Sequence, residues 1–215
     1  MSVSALEPAS RLQAALELAG LGIPVVPVHY PVAVAGARRT GCSCGRGGCA
    51  TPARHVALGA GPADATTYPR QIRRWWQGEG PWNLAAVAGR CVDALALSCP
   101  RPAGEVAAWL AAHKVQPGPV IDLGGPVLFL TTVRRDPTGQ RRQAGSGWLE
   151  RVCHGELVLL PPSRLVDSRS PDWLAGPHLP FADEGLLWRV LAALPEAGEL
   201  AALAVANEHR QEGSA

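Results

Sequence analysis

Lysine is almost missing from this chain: Lys114 is the only one, and arginine supplies the rest of the 20 basic residues. With 18 acidic residues the formal net charge is only +2. No global field therefore draws the protein to a polyanion, and any such contact needs a local patch. The arginine bias accompanies abundant Ala, Gly and Pro and reads as an effect of base composition rather than as a selected basic surface. No apolar run reaches the roughly 18–20 residues of a membrane span, so no membrane partner is expected. The N-terminal segment has acidic Glu7, no basic stretch and no small-residue cleavage pattern, so no secretory leader is expected either. The expected compartment is the cytoplasm. There the six cysteines are thiols or metal ligands rather than disulfides.

What is present suits a folded chain. Hydrophobic residues make up 47% of the 215 residues and charged ones 18%, enough for one packed domain with a helical tail. Leu12, Ala15, Leu16 and Ala19 recur at helical spacing, which predicts a helix over 10–19 that Gly20 and Gly22 stop. Ile23 to His29 is β-branched and carries two prolines, as in an edge or terminal strand. Thr67 and Pro69 predict the start of a helix over 70–77. Strands are expected at 84–87, 94–97, 119–123, 127–133 and 157–160, the last ending at Pro161-Pro162-Ser163. Val106, Trp109 and Leu110 place an amphipathic helix over 103–114. Asp136-Pro137-Thr138-Gly139 reads as a turn. Helices are expected at 184–194 and 197–207.

From Pro31 to Pro62 the chain shows no periodicity, and so long an irregular stretch needs something to pin it. Cys42, Cys44, Cys49 and His55 supply a reason. They form C-x-C-x4-C-x5-H within the loop at about 40–56, among glycines that let the backbone turn tightly. Three thiolates and an imidazole make a closed tetrahedral set for structural Zn²⁺, and binding would order the loop. The bland alternative is a chance cluster of reduced thiols. Cys91, Cys99 and Cys153 lie in or near expected strands and read as core residues.

Two basic groups are candidate phosphate contacts. Arg73 and Arg74 lie roughly opposite Ile72, Trp75 and Trp76. Those tryptophans read as a docked core face first and a base-stacking platform second. Arg134, Arg135, Arg141 and Arg142 flank the turn, where Asp136 is the only acid to offset them; a solvated turn is the alternative. Asn83 is either a ligand contact or a turn former.

The order of these features is informative. A helix and a Val-Pro strand precede the Cys/His loop. Then come Ala65-Thr66-Thr67, Ile72, Trp75-Trp76, Asn83 with a strand to Gly89, Gly124-Gly125 and Pro161-Pro162-Ser163. The series, from about Ala14 to Trp173, resembles the N-terminal domain of bifunctional DNA primase/polymerases, the prim-pol branch of the archaeo-eukaryotic primase superfamily. The resemblance implies an α+β fold with an RRM-like antiparallel sheet, an inserted zinc loop and C-terminal helices. It implies a prim-pol-like domain over 1–180, a helical extension over 181–207 and a tail over 208–215, with no helicase half.

The resemblance also implies an Asp-x-Asp pair, a histidine after the Gly-Gly turn and a third acid before the Pro-Pro-Ser strand. These hold two divalent ions, Mg²⁺ or Mn²⁺, against a triphosphate. In this chain the pair falls on Ala96 and Ser98 and the histidine on Val127. Glu150 can meet the third position, and Glu156 lies close by. Asp93 is an odd number of residues from Ala96, which on a strand means the opposite face. The eroded pattern resembles that of actinobacterial members. It implies a module that has lost catalysis and associates with DNA, a nucleotide or a protein partner. An active enzyme using Asp93, Glu150 and Glu156, and a scaffold without nucleic-acid binding, are the alternatives.

Overall fold

The computed structural model of the protein describes residues 8–34, 40–78, 80–98, 103–133, 143–144, 148–152, 154–167 and 169–194. The turn arginines 134, 135, 141 and 142, Cys99, Cys153, the helix expected at 197–207 and the tail lie outside them.

The chain opens with α1 (Pro8–Gly20), then β1 (Val25–Val28), β2 (Pro31–Ala33) and β3 (Thr40–Cys42). A 3₁₀ turn at Pro62–Asp64 leads to α2 (Pro69–Trp76), β4 (Asn83–Val87), β5 (Asp93–Leu97) and α3 (Ala103–Ala112). Then come β6 (Val120–Asp122), β7 (Val127–Thr131), β8 (Gln143–Ala144), β9 (Leu149–Arg151), β10 (Leu157–Leu159), β11 (Asp172–Ala175) and α4 (Glu184–Ala192).

The architecture is α+β. One sheet runs β1-β4-β10 and a second β11-β6-β7-β5-β9-β8, while β2 and β3 form a separate ribbon. Every pairing between these strands is antiparallel. The segment at 31–62, expected to be irregular, thus contains an antiparallel ribbon. It went unseen because three-residue strands are too short to show a period.

The two sheets share a core. Val25, Leu84, Ala86, Val158 and Leu160 of the smaller sheet and its flanks meet Ala94, Ile121, Leu128 and Leu130 of the larger one, with α1 and α2 closing the cluster. Ile72, Trp75 and Trp76 are all buried there, and Arg73 and Arg74 are exposed, so the tryptophans form a core face. α2 starts differently from expectation: Tyr68, not Thr67, holds the N-cap position and makes no side-chain cap. Thr66 Oγ1 accepts the Tyr68 N–H at 3.0 Å, and Pro69 brings no N–H to satisfy.

The other face of the larger sheet is covered by α3 and α4. Leu95, Leu97, Phe129 and Leu149 pack there against Val106, Leu110, Leu187 and Leu191. Each fully buried leucine contributes roughly 1.5–3 kcal/mol relative to exposure. α4 was expected in an extension beyond residue 180, yet Leu187 and Leu191 are both 0% exposed. Asp183 caps α4 by accepting the Leu186 N–H. Arg151 of β9 and Glu184 of α4 join sheet to helix through a buried ion pair, with Arg151 Nε donating to Oε1 at 3.0 Å.

The turn after β4 carries the chain from the smaller sheet to the larger one. Gly89 has φ +82°, and a Cβ there would meet the His154 ring at 1.9 Å. Only glycine suits both demands. Cys91, expected in the core, sits in this turn and is exposed. The strand starts at Asp93, two residues later than a buried Cys91 would need.

Candidate functional site

The metal loop is built from β2, β3 and the turns that follow. Cys42 closes β3 opposite Pro31. Gly45 and Gly48 adopt φ +71° and +85°, turning the backbone so that Cys44 and Cys49 return toward Cys42. The ligand atoms of Cys42, Cys44, Cys49 and His55 all lie within 4.8 Å of one another. His55 Nε2 is 3.3 Å from Cys42 Sγ and 3.4 Å from Cys49 Sγ. Tetrahedral bonds of about 2.3 Å to sulfur and about 2.0 Å to nitrogen set ligand atoms about 3.5–3.8 Å apart. The four side chains therefore fit one metal ion. The backbone N–H of Arg46 draws the Cys44 thiol below its ordinary range, and burial raises that of Cys49.

A second layer surrounds them. The Ala53 N–H donates to Cys42 Sγ at 3.4 Å. The ring of His29, from the end of β1, lies 4.4 Å from that of His55, centroid to centroid. Its Nδ1 is 2.9 Å from Ser43 Oγ, which also accepts the Tyr30 N–H at 3.0 Å. Burial, then His55, then Arg46 push the His29 pKa down. No motif in the sequence marks His29. Its one signal was its place at the end of the strand that leads into the loop.

The loop walls a cleft of about 700 Å³. Thr51, Arg54, His55 and Val56 face it from the loop, and Ala96, Ser98, Leu128, Glu150 and Glu156 from the sheets. Cross-strand register explains this set. Ala96 pairs with Leu128 on β7 and with Glu150 on β9, so the three side chains share one face. Leu97 pairs with Val127 and Leu149, and these share the other face. Val127 thus lines a different, apolar pocket of about 320 Å³ beside α3. The cleft residue at this point is Leu128, not the expected Val127. Counting from Gly124-Gly125 could not settle an offset of one, and one residue reverses the face.

The remaining candidates separate cleanly. Ala96, Ser98, Glu150 and Glu156 come together in the cleft. Asp93 is 6% exposed and shares its face with Leu95 and Leu97, away from the cleft, as its spacing predicted. Arg74 lines a surface depression with Tyr68 and Gln71, outside the cleft. Arg54, missed in the sequence reading, faces the cleft from beside His55.

Asn83 and the Pro-Pro-Ser segment answer each other. Asn83 Nδ2 donates to the Arg164 carbonyl and its Oδ1 accepts the Arg164 N–H, both at 2.8 Å. Buried Ser163 Oγ accepts the Leu84 N–H and donates to the Leu84 carbonyl, both at 2.9 Å. Asn83 therefore makes a structural clamp rather than the expected turn or ligand contact.

No helix among the described residues is long and apolar enough to cross a membrane. No curated protein matches the chain at a significant level. A family model described as bifunctional DNA primase/polymerase, N-terminal, matches residues 15–197. That span takes in both sheets, the metal loop, the cleft and α4. The chain belongs to the bifunctional DNA primase/polymerase N-terminal family.

Proposed function

We propose that this chain is a catalytically silent prim-pol module, held together by Zn²⁺ and associating with a nucleotide or nucleic acid without nucleotidyl transfer. One observation carries the reading. The β5 side chain that lines the cleft is Ala96, with Ser98 just beyond, and neither is a carboxylate. Where the family resemblance places an acidic pair, this surface offers a methyl and a hydroxyl. Leu128 beside them cannot donate a hydrogen bond. Two Mg²⁺ ions need several hard anionic oxygens, and Glu150 with Glu156 is a thin set for that task. Recruiting Asp93 would require its side chain to cross the sheet, which weighs against a rearranged active site. The thiolate-rich ligand set supports zinc over magnesium or calcium in the loop.

Primer extension and de novo priming with Mn²⁺ or Mg²⁺ test the reading, using purified full-length chain. No product is expected. Extension that co-purifies with the chain and disappears in Glu150→Gln would overturn it. Fluorescence anisotropy with single-stranded oligonucleotide at low salt tests the association half. Binding is expected to weaken steeply as salt rises. No shift at low salt would favour a scaffold role instead.

A further inference from the structure

Next to the cleft lies a second cavity, of about 780 Å³. Thr51, Arg54, Leu123, Pro126 and Leu159 line both, so the two are continuous across the metal loop. The second adds Thr40 and Arg164. Its acid, Asp167, is already engaged: Arg169 Nε donates to Asp167 Oδ2 at 2.7 Å, and this bond holds the carboxyl below its usual range. The charges of Arg54 and Arg164 are not offset by it.

A third positive charge lies behind Arg164. Arg11 of α1 is 0% exposed. Its Nη1 donates to the Pro81 carbonyl at 3.0 Å and its Nε to the Pro162 carbonyl at 3.4 Å. Its Nη2 is buried with no partner. Among the described residues no carboxylate bonds it. Burial first and Arg164 second bring its pKa down to about 10, which leaves it charged near neutrality. Carbonyl dipoles satisfy two donors but cannot cancel a full charge in a low-dielectric interior. The field of Arg11 therefore adds to that of Arg164.

We propose that this cavity is a phosphate-binding site in which Arg54, from the metal loop, and Arg164, from the loop after β10, hold one phosphoryl group. Two guanidiniums with hydroxyls of Thr40 and Thr51 suit a tetrahedral oxyanion, because the fork of N–H donors matches phosphate oxygens. Both arginines are held on rigid supports. Arg164 is fixed through its backbone by Asn83, and Arg54 adjoins metal ligand His55. The phosphoryl group belongs to a free nucleotide or to a nucleic-acid strand. The proposal rests on the proposed function only for that choice of probes.

Calorimetric titration of the zinc-loaded full chain with inorganic pyrophosphate tests it. Saturable binding is expected. Arg164→Gln and Arg54→Gln should each weaken it about tenfold or more, the loss of a charge-assisted contact. Arg70→Gln, on exposed α2, should bind like wild type. The Asn83 clamp grips only the Arg164 backbone, so Arg164→Gln keeps the fold, and Arg54→Gln gives a second, independent reading. A deoxynucleoside monophosphate that displaces pyrophosphate better than oligothymidylate identifies a nucleotide; the reverse identifies a strand. Either order upholds the site. Absent pyrophosphate binding, or arginine variants that bind like wild type, would overturn it. Primer-extension results do not bear on it.

Discussion

Asn83 and Arg164, 81 residues apart, meet as a two-bond pair in which the Asn83 side chain acts as a strand partner for the Arg164 backbone. The pair sits at the start of β4 and just beyond β10, at one end of the three-stranded sheet. It also sets the root of Arg164, which faces the cationic cavity.

Removing that pair should destabilise the whole domain. Asn83→Ala strips one donor and one acceptor and leaves the Arg164 backbone groups without them. A loss of about 2–3 kcal/mol is expected. Ser163→Ala should cost about 1–2 kcal/mol by the same reasoning. Urea unfolding measures both: the midpoint should fall with little change in slope. An unchanged midpoint for Asn83→Ala would mean that water replaces the side chain without loss.

Metal content should depend on the four loop ligands. Elemental analysis of the wild type is expected to give about one zinc per chain. Cys42→Ser and Cys49→Ser should lose it, and Cys91→Ser should not. Equal metal in all four proteins would remove the site.

His29 should act through His55 as a positioning residue. His29→Ala removes the tilted ring contact with His55 and the Ser43 contact, and zinc loss to a chelator should accelerate about 10–100-fold. The chromogenic chelator reads the metal directly. A rate equal to wild type would leave the ring contact as mere packing.

Placing acids in the cleft should create divalent-ion binding there. Ala96→Asp with Ser98→Asp places two carboxylates on the face that Ala96 shares with Glu150. Paramagnetic resonance of Mn²⁺ should report binding at least about tenfold tighter than wild type, since hard oxygen ligands set affinity. Equal binding would show that these positions do not form the divalent-ion site.

The Arg151–Glu184 pair should matter more broken than replaced. Glu184→Ala removes a buried ion-pair partner of Arg151 and should cost about 3–5 kcal/mol. Arg151→Leu with Glu184→Leu should recover much of that loss. Thermal melts of the single and double variants form the comparison, and a double variant no better than the single would count against it.

Much of the site was legible in residues close together in the chain. The spacing of Cys42, Cys44, Cys49 and His55 is local, and the glycines between them leave few ways to fold other than convergence. The burial of Ile72, Trp75 and Trp76 and the outward turn of Arg73 and Arg74 follow from helical spacing alone. Strand alternation likewise turned Asp93 away from Ala96 before any tertiary contact was known. The ordered motifs pointed to the family that the match over 15–197 establishes.

Only the assembled fold decided the rest. Leu128 rather than Val127 faces the cleft because β7 pairs with β5 in one register, and no local pattern marks that choice. Arg11 lies on the buried face of α1, where a helix read in isolation would put it in water; the carbonyls that accept its bonds lie 70 and 151 residues further along. His29 finds His55, Asn83 finds Arg164, and Arg54 turns into the cleft for the same reason. Periodicity records what a residue does relative to its chain neighbours, whereas these relationships arise when loop closure brings distant segments together and their polar groups must be satisfied at once.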